Sequence, residues 1–304
     1  MADLDELARG AAVVAPASGW DTLLVTGPDR LTWLEGLVTC ELKKLTPGAG
    51  TWGLALNRQG KIQSALWVVA SPDELWLALA PGTGAAMEGE LGRMLIMEDA
   101  ELSRPAEPHR WFSLHGPAAP ALAASWAREV GGAAAAVDFT GLGGAALSIP
   151  ASAEHLVLEH AEGMLLGPND WARLRLERTL PEFGADYDAS DRPHEAALDR
   201  RAVNWNKGCY LGQEVVCMQD MRGKVKRSLR VLRIDAPADA ALETGATLTT
   251  GAGREPVGSV TSRAYSARAG AWLVMAKCQL DALTGELWYD GSAGRFPAHV
   301  SEPI

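Results

Sequence analysis

The stretch after Arg227 constrains the fold most, because short runs of β-forming residues are separated there by Gly and Pro. The runs cover residues 229–234, 246–250, 256–266, 271–277 and 286–289. Regularly spaced short strands with turn residues between them are typical of a small barrel or sandwich. We therefore predict a C-terminal small β-barrel over residues 228–304 and a separate core over residues 1–227.

The core mixes strand and helix patterns. Residues 21–26, 52–56 and 61–70 predict strands, and a turn at 57–60 joins the last two as a hairpin. The Ala-rich segment 117–130 and a segment that starts at Pro168 favour helices, whereas the Gly/Ala-rich residues 131–144 indicate a connector. Because the strands and helices do not alternate as regular βα units, the fold class is predicted to be α+β.

The bulk numbers exclude several classes of function. The net charge of −10 argues against a nucleic-acid-binding surface over the whole protein, so any RNA contact is confined to a local basic run and is not expected to be tight. No apolar run approaches the about 20 residues that span a bilayer, so no membrane partner is predicted. The acidic start of the chain fits neither a secretory signal nor a transit peptide.

The cysteines predict a reducing compartment and no metal site. Cys40, Cys209, Cys217 and Cys278 contain no CxxC pair and form no Cys/His cluster with zinc spacing. Leu198 stands where an HExxH helix starting at His194 would need its second histidine. Scattered thiols of this kind predict a cytoplasmic protein.

One cysteine lies in an unusual setting, the octapeptide Lys207-Gly208-Cys209-Tyr210-Leu211-Gly212-Gln213-Glu214. A lysine two residues before a thiol can lower its pKa and favour the reactive thiolate. The flanking glycines allow positive φ or a close approach of the backbone to another group. From spacing alone, a buried cysteine that acts as a small hydrophobe is the alternative. A basic run follows the motif: Arg222, Lys224, Lys226, Arg227, Arg230 and Arg233.

The octapeptide resembles the signature KGCYxGQE of the YgfZ family of folate-binding proteins, which are relatives of the glycine-cleavage T-protein (aminomethyltransferase). Residues 175–186 are similar to the superfamily segment R-x-E-x-x-x-P-x-x-G-x-D, residues 193–198 to P-x-E-A-x-L, and residues 27–39 to the N-terminal block. The resemblance covers nearly the whole chain. It implies a T-protein-like folate-binding core of two interwoven α+β subdomains, followed by the barrel.

The resemblance also implies a ligand, tetrahydrofolate or a one-carbon derivative, and roles for individual residues. Glu177 is expected to accept two adjacent N–H groups of the pterin, the alternative being a surface ion pair with Arg173 or Arg178. Cys209 is expected to be the functional thiol, with Lys207 as its catalytic neighbour. The other expected cofactor-binding residues are Trp205, Gly208, Tyr210, Gly212, Arg222 and Lys224. The last two could hold the anionic glutamate tail or form only a solvated face.

One departure from the T-protein bears on catalysis. Its acidic stretch G-G-x-x-D-D-L corresponds to residues 60–66 of this chain, where Ser64 and Ala65 replace both aspartates. Neither residue can act as a general base near neutral pH without a partner. We therefore predict that the chain is not a true aminomethyltransferase.

The resemblance implies a role in the assembly or repair of iron–sulfur clusters, including those of enzymes that thiomethylate tRNA, so iron–sulfur enzymes are the expected partners. Two alternatives stay open. One is a folate-dependent aminomethyltransferase or demethylase that uses another base. The other is a non-catalytic partner of RNA or of a cluster enzyme. The chemical role of Cys209 is also open between transient cluster ligation, redox protection and one-carbon chemistry.

Overall fold

The computed structural model describes residues 12–223, 225–251 and 255–303. The chain forms two compact units. The first comprises the residues up to Gly167 together with Arg200–Gln213, and the second comprises Pro168–Asp199 and the residues from Glu214 onward. The division into a core over 1–227 and a barrel over 228–304 stays a prediction.

The first unit contains nine strands and four helices within the described residues. In chain order they are β1 (Val13–Ala17), β2 (Asp21–Thr26), α1 (Arg30–Glu35), β3 (Gly50–Leu56), β4 (Ile62–Ala70), β5 (Glu74–Leu79), α2 (Gly84–Gly92), β6 (Glu101–Ser103), β7 (His109–His115), α3 (Ala119–Val130), β8 (Ala133–Ala136), β9 (Gly144–Pro150) and, after a 3-10 turn, α4 (Glu154–His160).

These strands form two antiparallel sheets. The five-stranded sheet has the order β3-β4-β5-β2-β6, and the four-stranded sheet has the order β1-β7-β9-β8. Helices α1 and α2 cover the first sheet, with Leu34 and Met87 in its core. Helix α3 covers the second sheet through Ala123 and Trp126. Burial of these apolar faces removes them from water and stabilises both layers.

The hairpin between β3 and β4 follows from its local sequence. The Asn57 side-chain Oδ1 accepts hydrogen bonds from the backbone N–H groups of Gln59 and Lys61, both at 3.0 Å. Gly60 has a φ of +69°, a conformation that a residue with a Cβ rarely adopts. The turn predicted at 57–60 is therefore present, and it fixes the start of β4.

The second unit is built on a closed barrel with the strand order β10-β13-β12-β11-β14-β15. Its described elements are α5 (Pro168–Glu177), α6 (Gln213–Arg222, within the unit from Glu214), β10 (Arg227–Ile234), β11 (Thr247–Thr250), β12 (Pro256–Ser266), β13 (Ala271–Gln279), a 3-10 turn (Leu280–Thr284), β14 (Leu287–Gly291) and β15 (Gly294–Val300).

The barrel closes because its last strand pairs with its first. Val300 lies opposite Leu232 and Ala298 opposite Ile234 in the β10–β15 ladder. Closure leaves the barrel without an unpaired strand edge. Helix α5 packs against β12 and β13. The mixed helices and sheets confirm the predicted α+β class, and the closed barrel confirms the predicted C-terminal barrel.

The structure also departs from the sequence-based expectations. The segment 131–144, predicted to be a connector, contains the strand β8, which pairs with β9. By contrast, the helix that the sequence favoured from Pro168 is present, and it extends as far as Glu177. Among the described residues no helix is both long enough and apolar enough to cross a bilayer.

Candidate functional site

The segment that carries the cysteine motif is held against α1 and the residues that follow it. The backbone N–H of Asn204 donates to the carbonyl of Thr39 at 2.9 Å. The Thr39 hydroxyl donates to the carbonyl of Ala202 at 2.5 Å. These bonds fix the segment before the motif begins, so the motif itself starts from a defined position.

Lys207 anchors the motif through its side chain. Its ammonium group donates to the backbone carbonyls of Glu35, Val38 and Cys40 at 2.8, 2.7 and 2.6 Å. The Glu35 carboxylate lies 3.4 Å from the same nitrogen, and the Tyr210 ring centroid lies 5.6 Å from it. Burial lowers the pKa of Lys207, and the Glu35 carboxylate opposes that shift.

This arrangement bears on the predicted role of Lys207 as the neighbour that polarises Cys209. An ammonium has three protons, and three carbonyl oxygens take them here. The contacts favour an anchoring role, in which Lys207 holds the loop after α1 to the motif. The catalytic assignment of Lys207 stays a prediction.

Gly212 holds the other end of the motif. Its φ is +80°, and a Cβ at this position would lie 2.5 Å from the carbonyl oxygen of Asn57, so only glycine fits without a shift of the backbone. The preceding residue, Leu211, donates its N–H to the carbonyl of Gly36 at 3.0 Å. Gly208 is exposed and a Cβ there would meet nothing within 4 Å, so the close approach predicted for both glycines holds only for Gly212.

Cys209 is exposed between these two anchors. Cys40 and Cys278 are buried, and burial raises the pKa of each thiol to about 12, so both stay protonated at neutral pH. Cys217, on α6, is half-buried. Cys209 is therefore the most accessible of the four thiols, and the alternative of a cysteine buried as a small hydrophobe is wrong.

Two aromatic residues of the predicted site lie on either side of Cys209 in the chain. Tyr210 is buried, and its backbone carbonyl accepts a hydrogen bond from the N–H of Gln213 at 3.1 Å. Trp205 is half-buried, with the Arg200 guanidinium 5.3 Å from its ring centroid. Their roles in binding a ring stay predictions, as do those of Gly208 and Gly212.

Glu177 belongs to the second unit, where it ends α5. It is 4% exposed, and its Oε1 accepts a hydrogen bond from the Ser266 hydroxyl on β12 at 2.6 Å. The Ser266 oxygen also accepts the N–H of Ala269 at 3.0 Å. A carboxylate at this depth is not a surface group, so the alternative of a surface ion pair is wrong. The pterin-binding role stays a prediction.

Beside Glu177 lies a buried polar network that the sequence did not identify. The Arg175 guanidinium donates to Asp186 Oδ2 at 2.8 Å and to the Ser262 hydroxyl at 3.1 Å. Asp186 also accepts hydrogen bonds from the hydroxyls of Ser262 and Thr261 at 2.7 and 2.6 Å and from the N–H of Glu182 at 2.9 Å. The arginine and the final aspartate of the segment 175–186 thus pair with each other.

Ser64, at the place of one T-protein aspartate, is fully buried on β4. Its oxygen lies 2.7 Å from the carbonyl of Ala65 and 2.8 Å from the Thr83 hydroxyl, and it accepts the N–H of Ala80 at 3.0 Å. These partners include no carboxylate or imidazole that could activate the hydroxyl. The site therefore gives Ser64 a structural role.

The basic run after the motif is divided between two elements. Arg222 ends α6 and is exposed, whereas Arg230 lies on β10 and donates to the Ser228 hydroxyl and the Leu229 carbonyl. Lys224 lies outside the described residues. The predicted contacts of Arg222 and Lys224 with a glutamate tail stay predictions.

Lys207, Gly208, Cys209, Tyr210 and Gly212 form one loop of the first unit, together with Trp205 just before it. Glu177 and, at the end of α6, Arg222 belong to the second unit. Sequence reasoning missed Glu35 as the carboxylate beside Lys207. It also missed the Asp186 network, although Arg175 and Asp186 both lie in the segment 175–186 that resembles the superfamily.

The chain resembles known proteins in both sequence and fold. No protein-family model matches the chain. Mitochondrial aminomethyltransferase of Canis lupus familiaris is 27% identical over 233 residues, which cover 67% of this chain and 57% of that protein. The tRNA-modifying protein YgfZ of Aliivibrio fischeri is 23% identical over 231 residues, which cover 72% of this chain and 70% of that protein. The match to the aminomethyltransferase thus spans little more than half of its length.

The fold agrees with these relatives. The glycine cleavage system aminomethyltransferase T of Bartonella henselae superposes with a TM-score of 0.79 at 18% sequence identity, covering 97% of this chain and 86% of that one. At this identity the match establishes the fold alone, and it confirms the predicted T-protein-like architecture. By its sequence matches and its fold, the chain is a YgfZ-like relative of the aminomethyltransferase T-protein.

Proposed function

We propose that this protein binds a tetrahydrofolate, or a one-carbon derivative, and acts through Cys209 in the assembly or repair of iron–sulfur clusters. The clients include enzymes that thiomethylate tRNA, and the protein works in the cytoplasm. The observation that carries the proposal is an exposed thiol on a loop that Lys207 and Gly212 fix at either side. The relatives, an aminomethyltransferase and a tRNA-modifying protein, support the folate and tRNA parts of the proposal.

The anchored loop suits a thiol that meets a partner molecule. An exposed sulfur on a loose loop would have to be ordered at each encounter, which costs conformational entropy. Here the backbone before and after Cys209 is already bonded to the rest of the first unit. The sulfur can thus be presented to a cluster or a cluster enzyme without rearrangement of the loop.

Aminomethyl transfer is the second candidate, because aminomethyltransferases are among the relatives. That reaction needs a group that can accept a proton at the position of the T-protein aspartates, which Ser64 and Ala65 occupy here. Ser64 is buried there among neutral hydrogen-bond partners, and the next residue is alanine. We therefore favour a folate-binding protein that lacks this activity.

The folate part of the proposal is tested at Glu177. We expect Glu177→Gln to weaken tetrahydrofolate binding by at least about tenfold, or about 1.4 kcal/mol. A carboxylate accepts two adjacent N–H groups, whereas an amide turns one of its two positions into a donor that faces another donor. Isothermal titration calorimetry of the full chain measures the effect.

The matched control is Glu302→Gln, which removes the same charge from an exposed position of the second unit. It should bind tetrahydrofolate like the unchanged protein. Absence of binding heat in the unchanged protein, or equal affinity of the Glu177→Gln variant, would contradict the folate proposal.

The thiol part of the proposal is tested at Cys209. We expect Cys209→Ala to lose complementation in cells that lack this protein, measured as the activity of an iron–sulfur enzyme that thiomethylates tRNA. Because the side chain is exposed, the variant should melt at the temperature of the unchanged protein. Cys217→Ala, which removes a half-buried thiol, is the control and should complement fully. Full complementation by Cys209→Ala would refute a chemical role for this sulfur.

A further inference from the structure

Three side chains of the second unit converge near the start of the barrel. His194 and Asp199 lie in the loop that ends the unit's first segment, Pro168–Asp199. Asp220 lies on α6. His194 is 7% exposed, and both aspartates are half-buried. One nitrogen or oxygen atom from each of the three lies within 4.8 Å of the other two.

The loop that presents His194 and Asp199 is fixed by its own backbone. The N–H of Leu198 donates to the carbonyl of Pro193 at 2.8 Å, and the Ser228 hydroxyl on β10 donates to the carbonyl of His194 at 2.7 Å. Between the two ligand residues, Ala197 has a φ of +55°, so the loop turns sharply there. The imidazole and the carboxylate are therefore presented from a rigid turn.

One of the three ligand–ligand distances matches that of two ligands on a common metal ion. His194 Nε2 lies 3.3 Å from Asp220 Oδ1. The two atoms lie at hydrogen-bond distance, although the contact is longer than a strong charge-assisted hydrogen bond, which measures about 2.7–2.9 Å. Two ligand atoms bound to one ion at about 2.0 Å in a tetrahedron are about 3.3 Å apart. The pair is thus spaced as two neighbouring ligands of a small cation.

The donor set selects the kind of ion. An imidazole nitrogen suits first-row transition metals, whereas Mg²⁺ and Ca²⁺ prefer oxygen ligands alone. We propose that His194, Asp199 and Asp220 bind one divalent transition-metal cation through one nitrogen and two carboxylates. Three protein ligands leave at least one coordination position open for water or a bound molecule.

This inference goes beyond the proposed function, because it concerns neither Cys209 nor the folate. It also differs from the expectation drawn from the sequence. No metal site was predicted there, because Leu198 stands where an HExxH motif starting at His194 would need its second histidine. Asp199 follows Leu198 directly, and Asp220 comes from another element.

The test uses Mn²⁺ and the full chain after removal of metals with EDTA. Mn²⁺ is chosen because it prefers nitrogen and oxygen ligands, whereas Zn²⁺ would also bind the thiols of Cys209 and Cys217. Loss of the free Mn²⁺ electron paramagnetic resonance signal measures binding. We expect one equivalent bound, with Asp199→Asn and Asp220→Asn each weakening binding by at least about tenfold. Melting curves in EDTA establish that both isosteric variants are folded.

The control is Asp235→Asn. Asp235 Oδ2 lies 3.0 Å from His299 Nε2, so this exposed pair offers the same two residue types in the same unit. Binding by this variant should equal that of the unchanged protein. The nitrogen coupling of bound Mn²⁺, measured by spin-echo modulation, should disappear in His194→Gln.

Three results would overturn the proposal. The first is no binding by the unchanged chain at millimolar Mn²⁺. The second is undiminished binding by both the Asp199→Asn and Asp220→Asn variants. The third is a bound ion without nitrogen coupling in the unchanged chain.

Discussion

Replacing Lys207 with methionine is expected to lower the free energy of unfolding of the first unit by about 3–5 kcal/mol. The change removes a side chain that is 0% exposed and leaves the carbonyls of Glu35, Val38 and Cys40 buried without their donor. It also leaves the Glu35 carboxylate, which accepts the N–H of Leu42, without its nearby cation. Methionine keeps the length of the side chain, so lost volume contributes little.

Urea unfolding followed by tryptophan fluorescence measures this effect, because the stacked pair Trp20 and Trp67 lies in the first unit. Lys44→Met is the control. Lys44 lies near the same loop, but its side chain is 85% exposed and pairs with Glu41, so its loss should cost less than about 1 kcal/mol. If Lys207→Met changed stability no more than Lys44→Met, the anchoring role would be wrong.

For the second unit, Asp186→Ala is expected to cost about 3–5 kcal/mol. The Asp186 side chain is 0% exposed and the Arg175 side chain only 4%. Alanine would leave the guanidinium with only the half-exposed Glu182 carboxylate, at 3.2 Å, and would leave the Ser262 hydroxyl without its acceptor. Removing the buried partner of a buried charge is among the most destabilising changes a single substitution can make.

Differential scanning calorimetry of the full chain measures the loss. The control is Asp235→Ala, which breaks an Arg–Asp pair with Arg233 whose side chains are 49% and 41% exposed, and it should change stability by less than about 1 kcal/mol. Replacing both Arg175 and Asp186 with apolar residues should recover part of the loss, since no lone charge is then buried. If the Asp186→Ala variant melted at the same temperature as the Asp235→Ala control, the network would contribute little to stability.

The parts of the fold that are determined by residues close together in the sequence could be predicted. The hairpin turn at 57–60 was found because Asn57 and Gly60 act within the turn itself. The strand β8 was missed because its four alanines have no β-propensity, and it forms by pairing with β9. The barrel strand β15 was missed because its Gly and Pro hide the strand pattern.

The candidate site shows the same limit. The motif that contains Cys209 could be found by resemblance, and its exposure now distinguishes it from the other thiols. The partners of Lys207 lie 167–172 residues away in sequence, so no local pattern could reveal them. Arg175 and Asp186 are only eleven residues apart, yet spacing alone cannot tell a buried ion pair from two solvated charges.

The first unit is interrupted in the chain by the residues Pro168–Asp199. During translation its two sheets leave the ribosome long before Lys207, whose ammonium bonds to the carbonyls of Glu35, Val38 and Cys40 at the end of α1 and in the loop after it. Until Lys207 is made, the carbonyls of Glu35, Val38 and Cys40 lack the donor that they have in the folded unit. The exposed thiol can take its final position only at that late stage, so a chain that ended at Cys209 would carry the sulfur but lack the bond from the Leu211 N–H to Gly36 that fixes the loop after it.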